Sequence, residues 1–252
     1  MYPGVFREGM IYDIHSHAYE YSREQLESFL RDLRLVAVSV DLESALKVLE
    51  LERAFPGRVI ACLGLHPWKI GREPLHVTRT IAWLAERAGV RCIGEVGLDR
   101  RFLDQHTWAL QLRVFREFIA LARELGAFLN VHAPDAWGKA LGVLAEEGAE
   151  RAVFHWYTGP VELAEVIASR GYYISINPAL RVQEKHARVA REVPLSYLVF
   201  ESDGPYEYRG LSLSPSMVRS TMELVAKEKG VALEEVMRVS RENSERLIGS
   251  VA

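Results

Sequence analysis

Strand-like and helix-like runs alternate along the chain, and this alternation limits the folds that the sequence can adopt. Eight short runs rich in β-branched and aromatic residues are predicted strands, near 11–15, 35–40, 59–63, 91–95, 128–132, 151–155, 172–176 and 197–201. Runs with helical spacing of apolar residues lie between or after them, at 24–30, 41–54, 76–88, 104–125, 214–229 and 233–248. The pattern is that of an α/β protein.

Many of the predicted strands are continuously apolar, which is typical of a parallel sheet covered by helices. With eight such strands in 252 residues, the sequence predicts one (β/α)8 barrel of the TIM type, a single domain over residues 1–252. Any active site would then lie at the C-terminal ends of the strands. A doubly wound open sheet is the alternative, but no Gly-x-Gly-x-x-Gly turn follows the first strand.

The bulk composition excludes several classes of protein. No run is long and apolar enough for a transmembrane helix, and residues 1–8 lack the form of a signal peptide, so no membrane contact is expected. A net charge of −3 argues against a general nucleic-acid coat protein, although it allows local contact with a few phosphates. No obligate protein partner is evident.

The two cysteines, Cys62 and Cys92, both lie in predicted strands. They form neither a zinc-finger spacing nor a disulfide framework, so we expect small buried thiols. A cytoplasmic location is the default expectation for such a chain.

A short motif at the end of the first strand contains two histidines separated by one serine, Asp13-Ile14-His15-Ser16-His17. Residues two apart in a strand point to the same face, so His15 and His17 can present two imidazoles to one ion. Imidazole is the commonest protein ligand for zinc and also suits other transition metals.

Ligand-type residues also stand at the ends of later predicted strands. His66 follows the third strand, Glu95 ends the fourth, His132 and His155 end the fifth and sixth, and Asp203 follows the eighth. Together with the first motif, the candidate ligands are four imidazoles and two carboxylates: His15, His17, His132, His155, Glu95 and Asp203. This set suits one or two divalent ions such as zinc, magnesium, manganese or iron.

The candidate ligands outnumber what a four-coordinate ion needs, which favours two ions bridged by Glu95. Asp203 is then the predicted general base that accepts a proton from water. Structural roles remain open for each residue, because a histidine can be a hydrogen-bonded core residue, Glu95 can pair with an arginine, and Asp203 can cap a turn.

These motifs resemble the TatD family of metal-dependent deoxyribonucleases. The matching stretches are 13–17 (DIHSH), 64–67 (GLHP), 93–99 (IGEVGLD), 131–132 (VH), 154–159 (FHWYTG), 201–206 (ESDGPY) and 243–247 (NSERL). The resemblance implies that one metal is surrounded by His15, His17, Glu95 and Asp203, and a second by Glu95, His132 and His155. It also implies hydrolysis of DNA phosphodiester bonds, with His66 near the substrate phosphate.

Two positions differ from the family pattern. Pro134 stands where relatives often have the arginine of a His-x-Arg motif, and Arg100 stands where tyrosine is common. We therefore expect Arg100 to be a substrate contact, and DNA or a small phosphodiester to be the substrate. The neighbouring Trp68, Trp156, Tyr157 and Tyr206 are candidates either for stacking on bases or for packing at the barrel mouth.

Two other functions stay open at this point. The same barrel can host an amidohydrolase-type deaminase, lactonase or amidase acting on a small molecule. In some such barrels a carboxylated lysine bridges the metals, but Glu95 holds that place here and the six lysines of the chain lie elsewhere. A non-catalytic metal-binding protein is the third possibility, and the presence of Asp203 argues against it.

Overall fold

Eight parallel strands, hydrogen-bonded in chain order, form the central barrel of the computed structural model, which describes residues 10–71 and 75–249. The strands are β1 (Ile11–Ser16), β2 (Leu33–Val38), β3 (Val59–Leu63), β4 (Cys92–Gly97), β5 (Phe128–His132), β6 (Ala152–Phe154), β7 (Tyr173–Ile176) and β8 (Leu198–Phe200). A small hairpin, β9 (Glu207–Tyr208) and β10 (Leu211–Ser212), follows the barrel. The predicted barrel is confirmed. Residues 1–8, for which the absence of a signal peptide was expected, lie outside the described part.

Helices follow the strands and surround the barrel. They are α1 (Arg23–Phe29), α2 (Leu42–Ala54), α3 (Leu75–Ala88), α4 (Trp108–Leu125), α5 (Trp137–Glu146), α6 (Val161–Ser169), α7 (Glu184–Glu192), α8 (Val218–Lys229) and α9 (Leu233–Ile248). Capping boxes at Ser22 and Asp41 satisfy free N–H groups and fix where α1 and α2 begin. Within residues 10–71 and 75–249, no helix has the length and apolarity needed to cross a bilayer.

Several element boundaries differ from the sequence expectations, among them the ends of β2 and β4 and the start of the helix predicted over 104–125. β2 ends at Val38 rather than residue 40, because the backbone N–H of Val40 donates to Ser44 Oγ (2.9 Å) in the cap of α2. β4 continues past Glu95 to Gly97, which pairs with His132. The first turn of the helix predicted over 104–125 is a 3₁₀ turn at Gln105–Thr107, and the α-helix begins after it.

The apolar core has two parts, one outside and one inside the barrel. The larger part packs the outer face of the strands against the helices. The smaller part takes residues from the strands and from the end of α9, and includes Tyr12, Ile14, Val36, Val38, Cys62, Cys92, Phe128, Val153, Val199, Leu247 and Ile248. Side chains therefore fill the barrel interior.

A disulfide joins Cys62 of β3 to Cys92 of β4 inside the barrel, so the expectation of free thiols was wrong. The two residues are direct partners in the β3–β4 register, with their Cα atoms 4.4 Å apart, and both are fully buried. Residues 30 positions apart in the chain gave no sequence signal for this pairing. Their contact follows from strand register, which the spacing of two isolated cysteines does not reveal.

Hydrogen bonds beyond the strand ends close the barrel between β1 and β8. The backbone N–H of Asp203 donates to the carbonyl of His15 (2.9 Å), and that of His17 donates to the carbonyl of Gly204 (2.9 Å). The Asp13 carboxylate accepts the N–H of Ser202 (2.9 Å). These bonds bring the first and last candidate ligands of the chain to the same part of the barrel mouth.

Candidate metal centre

Glu95 stands in the middle of a buried cluster of histidines at the C-terminal end of the barrel. The β4–β5 register shifts between Ile93 and Val96, so β4 bulges at this point. The backbone N–H of Glu95 consequently donates to the carbonyl of Ser39 (2.9 Å) rather than to the neighbouring strand. A glycine is required just before it, because a Cβ on Gly94 would lie 2.6 Å from the Cβ of Asn130.

One carboxylate oxygen of Glu95 faces the histidines of the first motif. Glu95 Oε2 lies 3.6 Å from His15 Nε2 and 3.9 Å from His17 Nε2. Asp203 Oδ1 approaches the same two nitrogens, at 3.3 and 3.4 Å. These four side chains form the first group of the centre, contributed by the ends of β1, β4 and β8.

The other oxygen of Glu95 faces a different set of imidazoles. Glu95 Oε1 lies 2.9 Å from His132 Nδ1, 3.3 Å from His155 Nε2 and 3.1 Å from His66 Nε2. His132 ends β5, His155 directly follows β6, and His66 lies in the loop after β3. All six predicted ligands and His66 are therefore brought together around one carboxylate.

A buried amide fixes the protonation of His15. Asn130 Nδ2 donates to the carbonyl of Ile14 (2.8 Å), so its Oδ1 is the acceptor for His15 Nδ1 (2.8 Å). The proton of the neutral imidazole is thus held on Nδ1, and Nε2 presents a lone pair toward Glu95 and Asp203. A lone pair is what a metal ion needs from histidine.

Carboxylates hold the other two imidazoles in the same way. His132 Nε2 donates to Asp99 Oδ2 (2.9 Å), and His155 Nδ1 donates to Glu201 Oε1 (3.3 Å). Each accepting oxygen is fixed in turn, since Trp68 Nε1 donates to Asp99 Oδ2 (2.6 Å) and the backbone N–H of Trp156 to Glu201 Oε1 (2.9 Å). When these rings are neutral, His132 Nδ1 and His155 Nε2 therefore also present lone pairs to the centre.

His66 has the opposite arrangement. Its Nδ1 accepts the backbone N–H of Trp68 (3.1 Å), so in the neutral ring the proton lies on Nε2, the atom that faces Glu95. Burial lowers the pKa of His66 to about 4, which keeps this ring neutral at physiological pH. His66 is thus arranged as a hydrogen-bond donor and not as a ligand.

The two carboxylates of the centre are anions. Burial alone would raise the pKa of Glu95, but the surrounding imidazoles hold it well below its usual range. Burial would likewise raise the pKa of Asp203, and the adjacent imidazoles of His15 and His17 lower it instead. Carboxylate oxygens and imidazole nitrogens around one point are the donor types that bind a divalent cation.

The imidazole nitrogens also lack protein partners of their own. His15 Nε2 and His132 Nδ1 are buried and make no hydrogen bond of good geometry with any described residue. An unpaired buried polar atom is costly, and a metal ion would satisfy both atoms. The residues therefore fit divalent metal ions. His15, His17 and Glu95 form a three-residue group whose ligand atoms lie close enough together to hold an ion.

Arg100, the predicted substrate contact, lies outside this cluster. Its side chain is exposed, its guanidinium carbon lies 4.6 Å above the ring of Trp108, and its backbone N–H donates to the carbonyl of Pro134 (3.1 Å). A cavity of about 590 Å³ lies beside the centre, between α5, α6 and α7, and its lining includes Asp135 and Thr158 but none of the six predicted ligands.

Sequence reasoning missed Asn130 and Glu201. Asp99, the last residue of the matching stretch 93–99, shapes its loop through the N–H groups of Arg101 and Phe102 (both 2.8 Å) and also holds His132. A signal for Asn130 was present, because an amide in the apolar strand 128–132 must find a buried partner.

Comparison with known proteins identifies relatives over nearly the whole chain. Residues 12–249 match the family described as TatD related DNase. YcfH of Escherichia coli K12, an uncharacterized metal-dependent hydrolase, is 33% identical over 86% of this chain and 84% of its own. The Danio rerio protein tatdn3, provisionally named a deoxyribonuclease, is 28% identical over 95% and 97% of the two chains. The crystal structure of YjjV, a TatD homologue from E. coli K12, has a TM-score of 0.84 at 21% identity, covering 94% and 97%.

A (β/α)8 barrel with clustered histidines and carboxylates at its mouth, together with these relatives, defines a metal-dependent hydrolase. The chain belongs to the TatD family of such enzymes. The family predicted from the motifs is confirmed.

Proposed function

We propose that this hydrolase cleaves phosphodiester bonds in DNA and that two divalent ions occupy its centre. The proposal rests on the two carboxylate oxygens of Glu95, which face two separate sets of imidazole nitrogens. A carboxylate in this position can bridge two ions, and paired ions suit reactions at phosphorus.

The proposed ligands fall into two sets that share Glu95. His15, His17 and Asp203 would hold the first ion with Glu95 Oε2, because each of the two imidazole nitrogens lies 3.3–3.9 Å from Glu95 Oε2 and Asp203 Oδ1. His132 and His155 would hold the second with Glu95 Oε1, at 2.9 and 3.3 Å. Zinc, manganese and magnesium are the candidates, with zinc favoured by the number of imidazoles.

When bound, such ions supply positive charge that polarises a phosphodiester and lowers the pKa of water. Asp203 would accept the proton of that water. Its Oδ1 is engaged with His15 and His17, while its Oδ2 makes no hydrogen bond to any residue in the described part of the chain. The lowered pKa of Asp203 makes it a weak base, so it can act only on water that is already acidified.

His66 and Arg100 are the proposed substrate contacts. The Nε2–H of His66 can donate to a phosphate oxygen without loss of a metal ligand, because its Nδ1 is already occupied. Arg100 is exposed and makes no ion pair with a described residue, so its charge is available to the DNA backbone. Both contacts are local, as expected for a chain with net charge −3.

A substrate panel tests the proposal. Protein stripped with EDTA and resupplied with Mg²⁺, Mn²⁺ or Zn²⁺ is assayed on single-stranded DNA, bis(p-nitrophenyl) phosphate, an anilide and a lactone. We expect metal-dependent cleavage of the two phosphodiesters, and retention of activity in the control His76→Ala, which alters an exposed histidine of α3. Turnover of the anilide or lactone without cleavage of either phosphodiester would establish the amidohydrolase alternative instead.

A further inference from the structure

Two aromatic side chains are exposed on the rim beside the centre. Trp68, in the loop after β3, is 38% exposed, and Phe102, in the loop after β4, is 61% exposed. Their ring centroids lie 5.5 Å apart with the planes nearly perpendicular, at 80°. Large apolar side chains are costly to leave in water, so a paired and exposed set at an active-site mouth indicates a binding surface.

Trp68 is held rigidly with respect to the centre. Its indole Nε1 donates to Asp99 Oδ2 (2.6 Å), the same oxygen that accepts from His132 Nε2 (2.9 Å). The indole ring lies 4.9 Å from the ring of His66 and 6.1 Å from that of His132. A group bound against Trp68 would therefore be positioned directly beside the proposed second metal site.

Charge on the same loop indicates the chemistry of the bound group. Arg101 is neutralised by a bidentate pair with Asp135 (2.9 and 2.7 Å) and lies 5.9 Å from the Phe102 ring. Arg100 is exposed and makes no ion pair with any residue in 10–71 or 75–249. Two exposed aromatic rings, with a guanidinium that makes no ion pair on the same loop as Phe102, match a nucleotide, which has a flat base and a charged phosphate.

We propose that Trp68 and Phe102 form a stacking platform for one unpaired base of the substrate strand, next to the phosphodiester that is cleaved. This inference rests on the proposed function, because it assigns the substrate of the same centre. Bases inside a duplex have both faces covered by their neighbours, so the platform selects single strands and frayed ends. Stacking accepts every base, so little sequence preference is expected.

Binding measurements distinguish contacts to the bases from contacts to the sugar–phosphate backbone. Fluorescence anisotropy in EDTA, where no cleavage occurs, compares a labelled single-stranded dT octamer with an octamer of abasic sites. Phe102→Ala is expected to raise the Kd for the dT octamer by about 5- to 100-fold and to leave the Kd for the abasic octamer unchanged. Phe102→Trp, which keeps an aromatic ring at this position, should bind the dT octamer with a Kd close to that of the wild type. Trp83→Ala, which removes an aromatic ring that is 57% exposed on α3, is the matched control and should change neither Kd.

Equal losses for the two octamers, or no loss in Phe102→Ala, would overturn the platform. A wild-type preference for a blunt duplex over the dT octamer would do the same. Steady-state cleavage distinguishes failure of the platform from failure of the proposed function. If Phe102→Ala cleaves DNA as well as wild type does, only the platform is disproved. If binding depends on the bases but no phosphodiester is cleaved, only the proposed reaction is disproved.

Discussion

Replacement of Asn130 by leucine tests whether a fixed imidazole proton prepares the metal centre. Leucine has the same branching and the same number of side-chain heavy atoms as asparagine but provides neither the acceptor for His15 Nδ1 nor the donor to the carbonyl of Ile14. Asn130 is fully buried, so water cannot replace these bonds. The His15 ring is then free to adopt the tautomer that places a proton on Nε2, where the metal would bind.

The size of the effect follows from the lost contacts. Removal of an outer partner of a ligating histidine lowers metal affinity by about 10- to 100-fold, equal to about 1.4–2.7 kcal/mol. Each buried group left without a partner also destabilises the fold by about 1–3 kcal/mol. We expect Asn130→Leu to show both losses, and Asn130→Asp, which keeps the acceptor, to retain most of the metal affinity.

Asn243→Leu is the matched control. Asn243 is also fully buried and donates two hydrogen bonds to backbone carbonyls, those of Leu195 (3.0 Å) and Leu198 (2.8 Å), but it lies on α9 away from the centre. Calorimetric titration with Mn²⁺ and urea unfolding are measured on all variants. The reasoning fails if Asn130→Leu binds Mn²⁺ as tightly as wild type, or if Asn243→Leu loses affinity equally.

Four further outcomes are expected. Metal analysis should show less bound metal at both sites in Glu95→Ala and at one site in His132→Ala. An unchanged metal stoichiometry in Glu95→Ala would contradict a bridging role of Glu95. Asp203→Asn should nearly abolish kcat while metals stay bound. A kcat near that of the wild type would contradict the role of Asp203 as general base. Replacing both Cys62 and Cys92 by alanine should lower the free energy of unfolding by about 3–4 kcal/mol, from a loop of 30 residues; two free thiols in the unreduced, denatured protein would disprove the disulfide. Hydrogen bonding to His132 lowers the pKa of Asp99, against the effect of burial, from 3.8 to about 2, so its stabilisation is present above about pH 4 and lost toward pH 2. In Asp99→Asn, the free energy of unfolding measured with urea should depend less on pH between about pH 4 and pH 2. An unchanged pH dependence would refute the lowered pKa of Asp99.

The barrel was predictable because its signals are local. Continuous apolar strands separated by amphipathic helices require a covered parallel sheet, and the ends of β3 and β5 were predicted to the residue. The family was predictable because its motifs combine residue types that rarely occur together by chance. The end of β2 was missed because the backbone N–H of Val40 bonds to the side chain of Ser44 instead of a neighbouring strand, which hydrophobicity does not report.

The contacts that organise the centre could not be predicted from sequence. Asn130 reaches His15 across 115 positions and Glu201 reaches His155 across 46, so their roles depend on which strands meet around the barrel mouth. The disulfide depends in the same way on the register of β3 and β4. Assigning Arg100 to the substrate remains a prediction, since its side chain lies on the rim and not among the clustered histidines.

The meeting of β1 and β8 at the centre has a consequence for synthesis of the protein. Asp13 and Ser202, whose hydrogen bond supports the two ends of the centre, are 189 positions apart. A nascent chain carries all the clustered histidines before Asp203 has left the ribosome. The ligand set is complete only when β8 and Asp203 have joined β1 in the closed barrel. Tight metal binding is therefore expected only after this step, and the bound metal then stabilises the closed barrel.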